Sequence, residues 1–483
     1  MSNTTNSASN RINMLLDENS FVEIGALVKA RTTDFNMLDK ETPADGVITG
    51  YGVIDGSLVY VYSQDASVLN GTIGEMHAKK IANIYDLAMK MGAPVIGLLD
   101  CAGLRLQEAT DALNAFGEIY KNQVMASGVI PQITAIFGTC GGGLAMFPAL
   151  TDFTFMEEKD AKLFVNSPNA LDGNYESKLN SASAKFQSEE SGLVDYVGSE
   201  ADVLGQIRQL ISMLPANNED DMSYDVCNDD LNRLCDNIVA EAKDASVMLA
   251  DISDNNVFFE VKASYAKSMV TGFIKLNGTT VGAVANRSEV YDAEGNVSEK
   301  FDKVLSPKAC EKTAEFIEFC DAFNIPVVSF TDVKGFEATV CAEKRIAKAV
   351  AKMTYAFANA TVPKINVITG EAFGSAYVAM NSKATGADMV FAWPQALVGM
   401  MDANAAAKIM YSAELAASDD FNAELSAKAS EYAALQSSAV SAAQRGYVDS
   451  IIEPADTRKY LIATFEMLFT KRESRPSKKH GTI

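Results

Sequence analysis

The sequence predicts an α/β protein built from two tandem copies of one fold, and three observations support this prediction. Short apolar strands alternate with segments whose apolar residues recur at helical spacing. A proline precedes two such strands in each half, and the two prolines are 37 residues apart both times. Further residues match at a constant offset of 232: Asp100 with Asp332, Gly103 with Gly335, Gly138 with Gly370, Gly142 with Gly374, and Lys80 with Lys312. Several matches in one order without gaps indicate an internal duplication.

Each copy is expected to contain a β-hairpin, turned at Asp55-Gly56 in the first copy and at Asn277-Gly278 in the second. An acidic, turn-rich stretch between Pro215 and Asn237 separates the copies. After Asp402 we expect a long Ala-rich helical arm. The predicted organisation is a disordered tail over residues 1–10, an N-terminal domain over 11–237, a linker helix over 238–255 and a C-terminal domain over 256–483.

Composition narrows the function classes for this chain of 483 residues. The formal net charge of -22 disfavours binding to nucleic acid or to anionic membrane surfaces. There is no run of about 18 apolar residues and no signal peptide at the start, so we expect a cytoplasmic protein, either free or at the periphery of a membrane complex. The seven cysteines form no CxxC pairs, which predicts neither disulfides nor a metal site.

Glycines follow a buried strand and open a helix in each half, at Gly141-Gly142-Gly143 and at Gly374-Ser375-Ala376. The first N–H groups of a helix lack partners within the helix, so two of them pointing at one spot can form an oxyanion hole. The alternative is that the glycines only permit close packing of helix on strand. The chain has two histidines, His77 and His480, and neither lies in the second copy's turn. A reaction whose base comes from substrate or cofactor therefore suits the sequence.

These residues resemble the carboxyltransferase family of biotin-dependent enzymes, which includes propionyl-CoA carboxylase beta subunits and methylmalonyl-CoA decarboxylase alpha subunits. The resemblance covers about residues 11–481 and rests on TPADGVITGYGVIDGSLVYVYSQD, GTIGEMHAKKI, ASGVIPQI, FPALTDFTFM, ATVPKINVITGEAFGSAY, GADMVFAWP and RGYVDSIIEP. It implies two tandem crotonase-like domains, each a β-β-α spiral. It also implies a homo-oligomer, a hexamer or at least a dimer, in which the N-terminal domain binds acyl-CoA and the C-terminal domain binds biotin.

The resemblance also implies roles for individual residues. Gly142 and Gly143 would hold the thioester oxygen, and Ser375 and Ala376 the ureido oxygen of biotin. Other residues on the biotin side are Phe373, Gly374 and Gly335. Because the acidic chain repels an anionic CoA ester, local basic groups are required. The residues predicted to contact the acyl-CoA are Lys79, Lys80, Gly103, Arg105 and Val378, with a further basic cluster at Arg475, Lys478 and Lys479.

The implied reaction moves CO2 between biotin and the α-carbon of a short acyl-CoA, without a metal. The biotin would sit on a separate biotin carboxyl carrier protein, and the other partners would be a biotin carboxylase or membrane sodium-pump decarboxylase subunits. The sequence departs from the family pattern at Ser375, where glycine is usual, and in the loop from Lys334 to Cys341. Two alternatives therefore stay open: a non-catalytic CoA-binding scaffold subunit, and a crotonase-type hydratase or isomerase.

Overall fold

The computed structural model describes residues 7–220, 226–292 and 294–476. The chain divides into two compact units, Met1–Asp221 and Met222–Ile483, called here the first unit and the second unit. Three residues singled out in the sequence, Lys478, Lys479 and His480, lie outside the described residues.

The first unit is built on one mixed sheet covered by helices. Its strands are β1 (Val22–Glu23), β2 (Val47–Ile54), β3 (Ser57–Gln64), β4 (Val95–Cys101), β5 (Gln132–Gly141), β6 (Phe153–Glu157), β7 (Lys162–Phe164) and β8 (Tyr196–Gly198). Its helices are α1 (Ser7–Leu15), α2 (Glu75–Met91), α3 (Ala109–Ala126), α4 (Met146–Leu150), α5 (Ala184–Phe186) and α6 (Glu200–Ile211). The strand order is β1-β2-β3-β4-β5-β6-β8, with β7 beside β5. The pairs among β1, β2 and β3 are antiparallel, and the pairs from β3 onwards are parallel.

The second unit repeats this arrangement. Its strands are β9 (Phe258–Val261), β10 (Met269–Leu276), β11 (Thr279–Asn286), β12 (Glu289–Tyr291), β13 (Val297–Lys300), β14 (Val304–Leu305), β15 (Val327–Val333), β16 (Gly335–Phe336), β17 (Lys364–Phe373), β18 (Met389–Ala392), β19 (Leu397–Gly399) and β20 (Ser450–Ile451). Its helices are α7 (Ile238–Glu241), α8 (Ala245–Ile252), α9 (Pro307–Ala322), α10 (Val340–Glu343), α11 (Ile346–Asn359), α12 (Gly374–Ala379), α13 (Ala403–Met410), α14 (Ser412–Ala417), α15 (Phe421–Tyr432), α16 (Ala439–Gln444) and α17 (Thr457–Leu468). The strand order is β9-β10-β11-β15-β17-β18-β20, with β19 beside β17.

The duplication inferred from the sequence appears strand by strand. Strands β4 and β5 correspond to β15 and β17 at the offset of 232, with matching first and last residues. The hairpin strands β2 and β3 correspond to β10 and β11 at an offset of 222. The difference is an insertion of ten residues between β11 and α9, where the second unit forms the additional hairpin β12–β13. Both predicted hairpin turns are present, and the residues at each have positive φ: Asp55 (48°), Gly56 (85°), Asn277 (52°) and Gly278 (76°).

Two predicted boundaries are wrong. Helix α1 begins at Ser7, inside the predicted disordered tail, because Ala8 is fully buried and its carbonyl accepts a hydrogen bond from Ser63. The predicted linker helix over 238–255 belongs to the second unit. Its helices α7 and α8 bury Ile238, Leu249 and other apolar side chains in the core of that unit, and α8 packs against strands β9, β10 and β11. The predicted Ala-rich helical stretch after Asp402 consists of four helices, α13 to α16.

A buried lysine fastens the first long helix of each repeat to the loop before the hairpin. Lys80 on α2 donates hydrogen bonds to the carbonyls of Ala44 and Val47. Its repeat mate Lys312 on α9 donates to three carbonyls, at 2.8 Å, 2.9 Å and 2.8 Å: Lys262, Tyr265 and Met269. Both lysines are buried. The match seen in the sequence therefore has a structural cause, since one ammonium satisfies several buried backbone acceptors at once.

Replacing Lys312 with methionine is expected to lower the free energy of unfolding by about 3 kcal/mol or more, because buried carbonyls lose their donor. Urea titration followed by circular dichroism measures this loss. The matched control is Lys348→Met on α11, where the side chain is exposed. Equal stability of the two variants would contradict a stabilising role for the hydrogen bonds of Lys312.

None of the helices within the described residues is long and apolar enough to cross a membrane. All seven cysteines are free thiols, and six of them are wholly or partly buried.

Candidate active site

The two glycine turns predicted from the sequence have the same conformation. Strand β5 ends at Gly141 and continues directly into a 3-10 helix over Gly142–Ala145, while β17 ends at Phe373 and continues into α12. Gly142 has φ of +63° and its repeat mate Gly374 has φ of +60°. This left-handed conformation disfavours any residue with a Cβ, which is why glycine occupies both positions.

Each turn leaves backbone N–H groups at the start of a helix. Gly142 and Gly143 begin one helix, and Gly374, Ser375 and Ala376 begin the other, so their N–H groups have no carbonyl partner within the helix. Gly143 and Ser375 are exposed, whereas Ala376 and Phe373 are buried. Each turn can therefore direct N–H donors at an oxygen atom that carries developing negative charge.

Two aromatic side chains on α3 support the turn of the first unit. The Tyr120 hydroxyl donates a hydrogen bond of 2.7 Å to the carbonyl of Gly143. The rings of Phe116 and Tyr120 lie 5.6 Å apart, and both pack on Phe147. A Cβ added at Gly143 would lie 3.0 Å from the Tyr120 oxygen and 3.3 Å from the Phe116 ring. Sequence reasoning missed this support, although aromatic residues four apart on a predicted helix were a usable signal.

The turn of the second unit is surrounded by different residues. A Cβ added at Gly374 would lie 3.1 Å from the carbonyl oxygen of Met400. The side chain of Ser375 is exposed, and its hydroxyl has no hydrogen-bond partner among the residues that the structure describes. Beside this turn, Lys303 from the inserted segment pairs with Asp332 at 2.9 Å and with Glu371 at 3.6 Å, and lines a cavity of about 550 Å³.

An aspartate near the end of the neighbouring strand, Asp100 on β4 and Asp332 on β15, packs beside the strand that leads into each turn. The backbone N–H of Asp100 donates to the Gln64 side chain, and that of Asp332 donates to the Asn286 side chain. A Cβ on the paired glycine would collide with the carboxylate, at 2.0 Å for Gly138 and at 2.4 Å for its repeat mate. Within each repeat, the matched aspartate therefore packs directly on the matched glycine. This contact explains why both residues recur at the offset of 232.

Comparison with known proteins identifies the family. The family model of the carboxyl transferase domain matches residues 2–483. The chain belongs to the carboxyl transferase family. It is 40% identical to the methylmalonyl-CoA decarboxylase subunit alpha of Veillonella parvula, over 99% of this chain and 92% of that protein. It is 41% identical to the propionyl-CoA carboxylase carboxyltransferase subunit of Haloferax mediterranei, over 99% of this chain and 93% of that protein.

A solved structure of the family confirms the predicted fold. The crystal structure of transcarboxylase 12S, a hexamer described with methylmalonyl-CoA and methylmalonic acid bound, matches with a TM-score of 0.91 and 38% sequence identity. The match covers 98% of this chain and 91% of that chain. The predicted α/β class with two tandem crotonase-like domains and the predicted family are both confirmed.

Two of the basic residues predicted to meet CoA are buried in this carboxyl transferase. Lys80 is the structural clamp described above, and burial lowers its pKa to about 8. The Arg105 guanidinium lies in the interior, paired with Asp45 at 2.6 Å and with Glu108 at 2.8 Å. Both charged groups are buried and paired inside the fold, Lys80 with backbone carbonyls and Arg105 with carboxylates, which leaves neither of them exposed to a ligand.

The remaining predicted binding residues lie at several places. Lys79 is exposed and pairs with Glu75 at 2.5 Å. Gly103, with φ of +106°, lies in the loop after β4, where its carbonyl accepts a hydrogen bond from the N–H of Ile73. Val378 is exposed on α12, and Gly335 pairs with β14 through strand β16. Arg475 is partly exposed and donates to the carbonyl of Ala358.

The described histidine is structural. His77 is fully buried, with Nδ1 2.9 Å from the carbonyl oxygen of Asp45 and Nε2 3.3 Å from the Gln64 side chain. Burial, with the nearby positive charge of Arg105, lowers the pKa of His77 to about 3. The imidazole is neutral at neutral pH and faces no turn glycine. Within the described residues there is also no group of three or more His, Cys, Asp or Glu side chains able to hold a metal ion.

The lowered pKa of His77 makes stability depend on pH. The unfolded chain takes up a proton on this residue near pH 6.5, whereas the folded chain does not until about pH 3, so its contribution to stability is present above 6.5 and is lost as the pH falls. As the pH is lowered from about 6 to 5, the free energy of unfolding of the wild type should decrease. In a His77→Gln variant, this decrease should be smaller by about 1.4 kcal/mol per pH unit. Urea titrations at several pH values measure both slopes, and parallel slopes would contradict the assignment.

Proposed function

We propose that this protein is a biotin-dependent acyl-CoA carboxyltransferase, which moves CO2 between biotin and the α-carbon of a short-chain acyl-CoA. One observation carries the proposal: the same glycine turn, with the same left-handed glycine, ends the corresponding strand of both units. A transfer between a thioester and a ureido group develops negative charge on one oxygen of each partner, so it requires two sets of donors. Relatives named for methylmalonyl-CoA and propionyl-CoA support a short acyl chain.

The first unit would bind the acyl-CoA. The N–H groups of Gly142 and Gly143 would hold the thioester oxygen, and the bond from Tyr120 to the Gly143 carbonyl keeps that stretch of backbone in place before the substrate arrives. Backbone donors held in this way need no reorganisation during the reaction, which is where their catalytic advantage lies.

The second unit would bind biotin. The turn fits a ureido group because Ser375 is exposed and has an uncommitted hydroxyl, and because the glycine at 374 leaves the backbone accessible. The N–H groups of Ser375 and Ala376 would hold the ureido oxygen, and Phe373, Gly374 and Gly335 would border it. Bound biotin supplies the carboxyl group to be transferred and the base for the α-proton, which agrees with a structural His77.

We further propose that the protein works as a homo-oligomer, a hexamer or at least a dimer, as the hexameric transcarboxylase 12S does. The biotin would arrive on a separate biotin carboxyl carrier protein. A biotin carboxylase partner would favour carboxylation, and membrane decarboxylase subunits would favour the reverse direction.

The experiment is transfer of labelled carboxyl from carboxybiotin to propionyl-CoA or acetyl-CoA by the purified protein. We expect labelled methylmalonyl-CoA or malonyl-CoA, dependent on both substrates. Absence of label in any short acyl-CoA would contradict the proposal. That outcome, with CoA binding retained, would favour the scaffold subunit, for which the exposed Ser375 side chain in the second turn is the specific observation.

A further inference from the structure

Strands β5 and β17 are distorted at the same place, just before the glycine turn of each unit. The pairing of β15 with β17 shifts register, so that residues 369–371 of β17 lie opposite Asp332 alone. The pairing of β4 with β5 shifts in the same way, with residues 137–139 opposite Asp100. Such a β-bulge bends a strand and redirects the residues that follow it, here into the glycine turn.

The carboxylate of the aspartate takes part in the bulge of the second unit. The backbone N–H of Glu371 donates a hydrogen bond of 2.9 Å to Asp332 Oδ1. The extra residues of a bulge have no partner in the backbone ladder of the neighbouring strand, so the side chain supplies the acceptor instead. Glu371 lies three residues before Gly374. The position of this carboxylate therefore fixes the strand where it leads into the second turn.

A cation holds the carboxylate in each unit, but it comes from a different part of the repeat. In the first unit, Arg11 on α1 donates a hydrogen bond of 3.2 Å to Asp100 Oδ2. In the second unit, Lys303 Nζ lies 2.9 Å from Asp332 Oδ2, the oxygen that the bulge does not use. At the offset of 232, Lys303 corresponds to Gly71, which has no side chain. The two units thus form the same ion pair by separate routes, which indicates that the aspartate needs a counterion.

Lys303 connects the two strands of the bulge. Besides Asp332 on β15, its ammonium has a carboxylate oxygen of Glu371 on β17 at 3.6 Å. The carbonyl of Lys303 accepts a hydrogen bond of 2.8 Å from the N–H of Lys334, and β14, which follows directly, pairs with β16. Burial lowers the pKa of Lys303, but the two carboxylates more than offset this effect and raise the pKa above its usual value. The side chain therefore stays charged at neutral pH.

We propose that Lys303 is a positioning residue for the second glycine turn: it holds Asp332, which in turn holds the bulge of β17 where the turn begins. The inference rests on the proposed function, because this is the turn to which we assign the ureido group of biotin. Without the ammonium, the carboxylates of Asp332 and Glu371 face each other across two strands and repel. The end of β17 then shifts, and the N–H groups of Ser375 and Ala376 move with it.

The first test is the Lys303→Met variant, which keeps the aliphatic stem and removes the charge. We expect kcat for carboxyl transfer to fall at least about tenfold, because small displacements of catalytic donors are costly. The Kd of CoA, which we assign to the first unit, should stay within about twofold of the wild type, since distant sites act independently. Lys303→Arg should restore most of kcat, because a guanidinium also pairs with carboxylates.

The matched control is Lys300→Met. Lys300 lines the same cavity as Lys303, but its side chain is exposed and pairs with Glu289 at 3.4 Å, away from the bulge. This variant should keep the wild-type kcat. An equal loss of kcat in Lys300→Met would show a general effect of charge near the cavity and would overturn the specific role of Lys303.

A double-mutant cycle tests whether Lys303 acts through Asp332. Asp332→Asn removes the charge but keeps an oxygen that can accept the hydrogen bond from Glu371. If Lys303 works through this carboxylate, the variant that combines Lys303→Met with Asp332→Asn should be no slower than the slower single variant. Losses that multiply in the combined variant would contradict positioning through Asp332.

Hydrogen exchange separates this inference from the proposed function, because it needs no turnover. In Lys303→Met we expect the amides of residues 369–376 to exchange at least about tenfold faster than in the wild type, whereas those of residues 137–144 should be unchanged. A wild type that transfers no carboxyl, with exchange that still responds in this way, would support the role of Lys303 and contradict only the proposed reaction. Unchanged exchange over residues 369–376 would overturn the inference.

Discussion

Replacement of Gly143 with valine is expected to reduce carboxyl transfer by about 100-fold to 1,000-fold, the usual effect of losing one oxyanion donor. A Cβ at this position would press on the Tyr120 oxygen at 3.0 Å and on the Phe116 ring at 3.3 Å. The backbone must move away from those side chains, and its N–H moves with it. The measurement is the rate of labelled carboxyl transfer to propionyl-CoA.

The control for Gly143→Val is Gly205→Val. That glycine lies in α6, where an added Cβ meets no atom within 4 Å. Both variants should give the same far-ultraviolet circular dichroism as the wild type, since Gly143 is exposed. Transfer at the control rate by Gly143→Val would refute the role of the first turn.

Replacement of Gly374 with valine is expected to reduce transfer at least about 100-fold while leaving CoA binding unchanged. The glycine has φ of +60°, which a β-branched residue adopts only under strain, and the added Cβ would approach the Met400 carbonyl oxygen at 3.1 Å. The turn in which Ser375 and Ala376 present their N–H groups would therefore reorient. Because this turn belongs to the second unit, calorimetry should give a wild-type Kd for CoA.

Gly446→Val provides the matched control for Gly374→Val. Gly446 lies in the same unit and has φ of +78°, but an added Cβ meets no atom within 4 Å. Both variants carry similar backbone strain, so a shared loss of activity would indicate a general stability effect and would contradict a specific role for the second turn. A tenfold or greater weakening of CoA binding in Gly374→Val would contradict the division of ligands between the units.

Sequence reasoning identified features that depend on local chemistry and on repetition. The glycine turns were visible because a left-handed residue ending a buried strand leaves a glycine in the sequence, and Gly142 and Gly374 both have that conformation. The hairpins were visible because Asp-Gly and Asn-Gly adopt the positive φ that two-residue turns require. The duplication followed from matched spacing alone, and the strand bounds agree with it.

Sequence reasoning failed where the environment of a side chain decides its role. Lys79, Lys80 and Arg105 are alike as cations in the sequence, yet one is exposed and two are buried among carbonyls and carboxylates. Helix α8 was predicted to be part of a linker, but its apolar face is buried in the core of the second unit.

The sequence by itself thus determined the α/β class, the two copies and the two glycine turns, because each depends on backbone conformation or on periodic spacing. Only the tertiary structure decided which cations remain free, since burial and pairing join residues distant along the chain, such as Asp45 with Arg105. It also brought Tyr120 to the Gly143 carbonyl and Arg31 to Glu75. These contacts arise from the packing of α3 and of the segment before β2 around the sheet, which no local pattern encodes.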